Sequence, residues 1–264
     1  MSSLVRFLVG LAVLPSLLLA QATVTTFSTY TFENPSSGTT FYSDTSGNGH
    51  GFSNNTGFGT ATTNLAPTGG SYAFSGAPSG GLFAWSISGG TVGQSTNWGI
   101  ELLFKNPGST SGTTASVIFS VGDPGSNGLS ILYNPTTNRI QGQVNGQQAF
   151  GSAEYNAGAW NSAVIVNNGT TTTLWLNSIV ASALNLNPTA SSSNWHAFVN
   201  SGGSVSYTGQ ADNIRVFTFT GTYTADNIYA IPEPSTYAAL LGLGALGWVA
   251  WRRRDHRSQP ASGN

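Results

Sequence analysis

The sequence predicts an all-β domain, an antiparallel two-sheet jelly-roll sandwich, between an N-terminal signal peptide and one short C-terminal transmembrane helix. Short runs rich in Thr, Val, Phe, Tyr and Trp recur between turn residues, as in sandwiches. Charged residues make up only 6% of the chain, too few to build amphipathic helices. Aromatic residues reach 11%, which argues against a disordered protein.

The first 22 residues have the pattern of a secretory signal peptide. Arg6 supplies a weakly positive start, residues 7–19 are apolar, and residues 20–22 (Ala-Gln-Ala) form a small-x-small cleavage site. A transmembrane anchor is the alternative, but the run is shorter than the roughly 20 residues of a spanning helix and contains Pro15. We expect export and cleavage after Ala22, followed by one domain over residues 23–230.

Within that domain, short predicted strands recur between turn signals throughout. Asn145-Gly146 and the run 167–169 (Asn-Asn-Gly) predict tight hairpins, because these residues tolerate positive φ. Residues 36–70 are rich in Gly and Asn and predict an irregular excursion. The predicted strands cover residues 25–32, 72–74, 82–87, 98–104, 117–121, 129–133, 139–144, 147–150, 160–166, 171–177 and 213–219.

The composition excludes disulfide bonds and argues against nucleic acid as a partner. The chain contains no cysteine, so disulfides cannot hold it together even after export. Residues 23–230 contain only three Lys or Arg residues, Lys105, Arg139 and Arg215. Without a basic patch, nucleic acid is not an expected partner.

A set of short motifs in a fixed order makes the domain resemble a known superfamily. The motifs are Tyr-Thr-Phe-Glu at 30–33, the loop 44–50, Trp-Gly-Ile-Glu at 98–101, Leu-Trp-Leu-Asn at 174–177 and Asp-Asn-Ile-Arg-Val-Phe at 212–217. Their order is similar to the laminin-G-like, concanavalin A-like lectin/glucanase superfamily over about residues 28–230. The resemblance implies a concanavalin A-like jelly roll.

Many members of that superfamily carry a structural calcium ion, and calcium takes oxygen ligands from loops. Asp44 and Asp212 are the acids that fall on family motifs, and Glu33 is a third. The resemblance therefore implies a structural calcium site at Asp44 and Asp212. Turn hydrogen bonds for Asp44, and an ion pair or hydrogen bond with Arg215 for Asp212, are the alternatives.

At the other end, residues 231–237 (Ile-Pro-Glu-Pro-Ser-Thr-Tyr), the apolar run 237–251 and Arg252, Arg253 and Arg254 resemble a PEP-CTERM sorting signal. The resemblance implies that an exosortase recognises Pro232, Glu233 and Pro234. The signal covers residues 231–257, and residues 258–264 are an expected disordered end.

The physical chemistry of this terminus agrees with the resemblance. As a helix, residues 235–251 could cross a thin hydrocarbon core at about 1.5 Å per residue. The arginines would keep their end in the cytoplasm, while the prolines keep the Pro-Glu-Pro run extended for an enzyme. A permanent tail anchor without processing is the alternative.

No catalytic residue is expected. Glycoside hydrolases use two carboxylates, which on one strand face need i, i+2 spacing, and neither Glu101 nor Glu154 has such a partner. The histidines His50 and His196 are not accompanied by a nucleophile elbow or zinc spacing. His50 is expected to be a surface turn residue.

Aromatic residues on the surface would serve carbohydrate binding. Trp85, Trp195 and Tyr155 lie in less regular surroundings and are candidates, although no ligand-binding set can be assigned. Trp98, Trp160 and Trp175 fall on family core positions and are expected to be buried anchors.

These observations favour an exported, non-enzymatic binding or structural protein of the cell envelope or exopolysaccharide. It would pass through an inner-membrane-anchored intermediate to the envelope, outer surface or extracellular matrix. Its expected partners are an exosortase, the membrane and extracellular polysaccharide. A surface glycan-active hydrolase or lyase is the alternative, and a purely structural coat protein is a third.

Overall fold

The computed structural model describes residues 22–33, 44–50, 59–63, 65–76, 84–86, 97–106, 115–122, 127–146, 148–189, 194–198 and 207–224. All regular structure within these ranges is β, and no helix occurs in them. Two antiparallel sheets pack as a sandwich, as predicted. Residues 1–21 of the expected signal peptide, the sorting signal and the terminal segment 258–264 lie outside the described residues.

The described part contains strands from three to eleven residues long. They are β1 (Thr23–Tyr30), β2 (Gly59–Thr62), β3 (Ala73–Gly76), β4 (Ala84–Ser86), β5 (Trp98–Lys105), β6 (Ser116–Val121), β7 (Leu129–Asn134), β8 (Arg139–Val144), β9 (Gln148–Ala153), β10 (Trp160–Asn167), β11 (Thr172–Leu176), β12 (Ile179–Leu184), β13 (Asn194–Ala197) and β14 (Gln210–Thr220).

One sheet has eight strands, in the order β12-β11-β10-β5-β14-β3-β2, with β1 also pairing with β14. The long strand β14 pairs with β5 on one side. On the other side, residues 210–211 pair with β3 and residues 214–220 pair with β1. The register shifts between Asp212 and Arg215, and Asn213 has a positive φ of 48°. This irregularity is a β-bulge, the device by which a strand bends and changes partner.

The second sheet has six strands, in the order β4-β13-β6-β7-β8-β9. Its β7–β8–β9 meander turns at Asn145-Gly146, where both residues have positive φ (53° and 67°). The predicted Asn-Gly hairpin is therefore confirmed. A turn the sequence analysis did not single out, Asn177-Ser178 between β11 and β12, also has positive φ at both residues.

The core between the sheets is aromatic and aliphatic. On β5, Trp98, Ile100, Leu102 and Phe104 point into it, as the predicted alternation requires. A smaller apolar cluster lies around Val164, Val166, Phe217, Phe219 and Tyr223, with Trp175 packed against it. On β10 and β14 these residues alternate with core residues, so the cluster lies on the outer face of the eight-stranded sheet.

Three strands were missed from the sequence: β2, β12 and β13. The first lies within the segment predicted to be irregular, and its Gly-Thr-Ala-Thr sequence has no large residue to reveal alternation. Of the other two, β12 (Ile-Val-Ala-Ser-Ala-Leu) shows no regular alternation, and β13 is only four residues long. Pairing with neighbouring strands, not local pattern, makes these segments extended.

Candidate functional site

The β14 bulge places a carboxyl group inside the protein. Asp212 is fully buried, and its Oδ1 accepts a hydrogen bond of 2.7 Å from the Asn213 backbone N–H. Its Oδ2 is buried and has no hydrogen-bond partner among the described residues. A buried carboxylate with an unused oxygen is costly unless a cation or a proton satisfies it.

A second acid, Glu33, affects the ionisation of Asp212. Its charge raises the pKa of Asp212, so the two carboxyl groups are close enough to interact. The Glu33 carboxylate accepts a hydrogen bond from the Ser71 backbone N–H. A side chain at Gly70, where φ is 105°, would collide with that carboxylate, so glycine is needed for this close approach.

The protonation of Asp212 reflects these surroundings. Burial raises its pKa from 3.8 to about 7, and the negative Glu33 adds to the rise. The backbone N–H groups of Asn213 and Ala66 oppose it, and burial outweighs them. A raised pKa of this size favours the protonated carboxyl group at mildly acidic pH when no counterion is present.

Glu33 and Asp212 repel each other when both are ionised, and a hard divalent cation between them would remove that repulsion. A buried carboxylate oxygen without a donor and a second carboxylate that acts on it are oxygen ligands of the kind that calcium uses. The described residues contain no cluster of three or more His, Cys, Asp or Glu suited to a metal. Loop carbonyls or water would therefore have to complete the shell. The calcium site stays a prediction, now with Glu33 beside Asp212.

The other predicted calcium ligand, Asp44, has different contacts. Its Oδ1 accepts the backbone N–H groups of Thr29 (3.0 Å) and Ser46 (2.9 Å), and its Oδ2 accepts that of His50 (3.1 Å). Burial alone would raise the pKa of Asp44, but these hydrogen bonds outweigh burial and lower it. Turn chemistry, the stated alternative, accounts for these contacts.

The His50 ring is not a freely exposed turn side chain. It stacks on Phe27 with ring centroids 4.2 Å apart, and its Nδ1 lies 3.1 Å from the Phe27 carbonyl and 3.5 Å from Asp44 Oδ2. The backbone carbonyl of His50 accepts the buried Tyr30 hydroxyl at 2.8 Å. The loop 44–50 is thus fastened to β1 and supports the fold.

A buried ion pair lies on the outer face of the eight-stranded sheet. The Arg215 guanidinium pairs with the Glu101 carboxylate, which is fully buried, and lies 5.0 Å from the Phe217 ring centroid. Arg215 thus pairs with Glu101. It does not form the ion pair that was considered for Asp212. The guanidinium of Arg215 compensates the buried charge of Glu101.

A small surface pocket lies where the β7–β8 turn meets the end of β9. Its volume is about 240 Å³, and Thr137, Asn138, Arg139, Glu154 and Tyr155 line it. Arg139 and Glu154 form an exposed ion pair at 3.2 Å. The sequence analysis considered Tyr155 and Glu154 but missed Asn138 and Arg139, for which the Asn-rich turn was the available signal.

The geometry of the pocket is fixed by hydrogen bonds to one amide. Asn138 has a positive φ of 55°, and its Oδ1 accepts the hydroxyls of Tyr133 (3.0 Å) and Tyr155 (2.6 Å). The Tyr155 ring packs edge-on to Phe104 at 5.7 Å, and burial followed by the neighbouring Tyr133 raises its pKa above the usual value. The Tyr155 ring is thus held rigidly beside the exposed Arg139–Glu154 ion pair.

The other aromatic candidates have different outcomes. Trp195 is fully buried on β13, so its prediction as a surface residue is wrong; packing on Phe27 and Phe119 buries it. Trp98 is buried as expected, whereas Trp160 and Trp175 are half-buried. The side chain of Trp85 lies outside the described residues.

The predicted sorting residues and membrane segment also lie outside the described part of the chain. These are Pro232, Glu233, Pro234, Arg252, Arg253, Arg254 and residues 235–251. No helix within the described ranges has the length and hydropathy to cross a membrane.

Solved structures share the sandwich. It is similar to domain 4 of AbnA, a GH43 extracellular arabinanase from Geobacillus stearothermophilus, solved in complex with arabinotriose (TM-score 0.53, 17% identity, 78% of this chain and 96% of that chain covered). It is also similar to the botulinum neurotoxin serotype G binding domain (TM-score 0.52, 15% identity, 77% of this chain). The chain spans 49% of that binding domain. At these identities the likenesses show the fold alone.

No curated protein sequence matches the chain. Residues 230–254 match the family model of the PEP-CTERM protein-sorting motif. The sorting signal expected from the sequence is therefore confirmed, and it supports an exported, exosortase-processed protein of the cell surface.

We predict that the stability of the protein falls as pH rises from about 4 to about 7 in calcium-free buffer. The folded-state pKa of Asp212 is about 7, above its unfolded value. The stability that protonated Asp212 contributes is therefore fully present below the unfolded pKa and is lost as pH rises through 7. Thermal unfolding at pH 4–8 measures this, and Asp212→Asn should flatten the slope. An unchanged slope in Asp212→Asn would contradict the assignment.

We further predict that Asp44→Asn destabilises the protein. An amide cannot accept all three backbone N–H groups that the carboxylate accepts, and leaving a buried donor unpaired costs about 1–3 kcal/mol. Urea unfolding measures the loss. Glu154→Gln is the matched control, since that exposed carboxylate should change stability by less than about 0.5 kcal/mol. Equal effects of the two substitutions would argue against the role given to Asp44.

Proposed function

We propose that this protein is an exported, non-enzymatic binding or structural component of the cell envelope or exopolysaccharide, delivered there by an exosortase. The match to the sorting motif at residues 230–254 supports delivery by an exosortase. The precursor is held in the inner membrane by residues 235–251 and is then cut near Pro232, Glu233 and Pro234. A laminin-G-like, concanavalin A-like ectodomain over residues 23–230 remains outside.

The ectodomain binds a saccharide in the pocket beside Tyr155. A sugar ring needs an apolar surface for its C–H face and polar groups for its hydroxyls, and the pocket offers one tyrosine with Asn138, Arg139 and Glu154. The volume of about 240 Å³ is below the roughly 300–1,000 Å³ of sites for drug-sized ligands. We therefore assign it one sugar residue or the end of a chain.

The alternative, a glycan hydrolase or lyase, has less support from the carboxylates described. Glu101 is sealed in its pair with Arg215, and Glu154 is paired with Arg139 at the surface. Glu33 and Asp212 interact, but Asp212 has no exposed surface that a glycosidic oxygen could reach. Two accessible carboxylates in one groove, which that chemistry needs, are not found among the described residues.

Calcium, in this proposal, has a structural task. Bound by Glu33 and Asp212, it would neutralise the buried carboxylate and join the segments after β1 and within β14. Such an ion supplies charge compensation and rigidity without chemistry of its own.

The sorting half predicts a defined mature polypeptide. Intact-mass analysis of the protein from its own host should show a chain that begins after Ala22 and lacks Arg252, Arg253 and Arg254. An exosortase-deficient host should retain the full C-terminal segment in its membrane fraction. A mature protein that still carries the arginines in the normal host would contradict exosortase processing.

The binding half predicts that Arg139→Ala and Glu154→Ala weaken retention by the exopolysaccharide of the host. Losing a hydrogen bond to a charged group costs about 1.5–3 kcal/mol, or about tenfold or more in the dissociation constant. Affinity electrophoresis in gels containing that polysaccharide measures the change. Asn185→Ala, an exposed polar truncation outside the pocket, is the control. Equal retention of all four proteins would exclude the pocket.

A further inference from the structure

The pocket beside Tyr155 contains hydrogen-bond donors and acceptors, and its lining carries no net charge. Arg139 supplies one positive charge and Glu154 one negative charge, whereas the other lining residues, Thr137, Asn138 and Tyr155, are neutral. The groups that a ligand can reach decide which class of sugar fits.

Glu154 is the more exposed of the two charged groups. Its side chain is 84% exposed, compared with 37% for Arg139. Its Oε1 lies 3.2 Å from Arg139 Nη2, and its Oε2 makes no hydrogen bond among the described residues. The pocket therefore presents a carboxylate oxygen that accepts hydrogen bonds and repels anions.

Asn138 presents hydrogen-bond donors in the same pocket. Its Oδ1 already accepts the hydroxyls of Tyr133 (3.0 Å) and Tyr155 (2.6 Å), whereas its Nδ2 makes no hydrogen bond within the described part of the chain. The Asn138 side chain is exposed. Because the two tyrosines occupy the oxygen of the amide, its NH2 group is left for a ligand.

Hydroxyl groups satisfy both kinds of partner, because a hydroxyl donates one hydrogen bond and also accepts. One hydroxyl of a sugar ring donates to Glu154 Oε2 while its neighbour accepts from Asn138 Nδ2. A carboxylate or sulfate group only accepts, so it leaves Glu154 without a donor and adds a second negative charge beside it.

We propose that the pocket binds uncharged sugars with two neighbouring free hydroxyl groups and discriminates against uronic acids and sulfated sugars. Glu154 determines this preference, and Asn138 supplies the matching donor. The inference rests on the saccharide binding proposed above and names the substrate class of the same pocket. It depends neither on exosortase processing nor on calcium.

The ion pair between Arg139 and Glu154 strengthens the preference. A guanidinium group has several N–H donors, so Arg139 can hold the Glu154 carboxylate and a neutral hydroxyl at the same time. An acidic sugar would compete with Glu154 for the same guanidinium, and one of the two anions would be left unpaired beside the other.

The test compares two chemical forms of the host exopolysaccharide by affinity electrophoresis of the protein isolated from its host, at one ionic strength. In the first form the uronic acid groups are reduced to alcohols, and in the second the primary hydroxyls are oxidised to carboxylates. The wild-type protein should bind the reduced polymer at least about tenfold more tightly, because the oxidised polymer adds repulsion at Glu154 and loses a donated hydrogen bond.

Glu154→Gln should shift the ratio of the two dissociation constants toward the oxidised polymer by at least about tenfold. The amide removes the negative charge and leaves Arg139 for the carboxylates of that polymer. Thr170→Lys is the matched control, since it changes the net charge by the same amount at an exposed turn outside the pocket and should keep the wild-type ratio. Equal shifts in both variants would show non-specific attraction and overturn the role of Glu154.

Asn138→Asp tests the donor with little change of shape. Aspartate tolerates the positive φ of 55° and keeps an oxygen for the two tyrosine hydroxyls, but it replaces the NH2 donors by an acceptor. Its retention by the reduced polymer should fall about tenfold. Unchanged retention would contradict the role of Asn138.

The outcomes separate this inference from the function on which it rests. A wild-type protein that binds both polymer forms equally overturns the preference, while saccharide binding stands. A wild-type protein that binds neither form overturns the saccharide function and the inference together.

Discussion

The fold depends on β14, a strand that must hydrogen-bond with three others. It pairs with β5 along one side, and with β3 and then β1 along the other. The change of partner requires a bulge, and the left-handed residue Asn213 provides it. Asp212 lies at the start of this bulge and is fully buried, and burial raises its pKa to about 7. Among the described residues, this buried carboxyl group needs a counterion or a proton.

Away from that site, neutral side chains perform tasks that charges perform in other proteins. Asn138 holds two tyrosine hydroxyls, and Asn177 fastens a hairpin to the neighbouring strand. With no disulfide to form, such side-chain hydrogen bonds and aromatic packing must hold the loops. The result is a domain with few charged residues.

The sequence predicted the sandwich because alternation and turn chemistry are local properties. The strand that begins at Trp98 and the Asn145-Gly146 hairpin were both confirmed. The surface exposure of Trp195 was predicted wrongly, because packing between distant strands decides burial. Glu33 and Asp212 are far apart in the chain, so their electrostatic interaction could not follow from spacing. Arg139 and Glu154 lie on the two sides of one hairpin, but a register shift between Ile140 and Gly142 decides which residues face each other there.

The ionisation of Asp212 tests the account most directly. A carbon-13 NMR titration of its side-chain carboxyl in calcium-free buffer should give a midpoint near pH 7, well above the ordinary 3.8. Added calcium should move the midpoint down, since the cation favours the ionised form. A midpoint near 4 without calcium would show that the carboxyl is not held in a desolvated bulge, and would contradict the account.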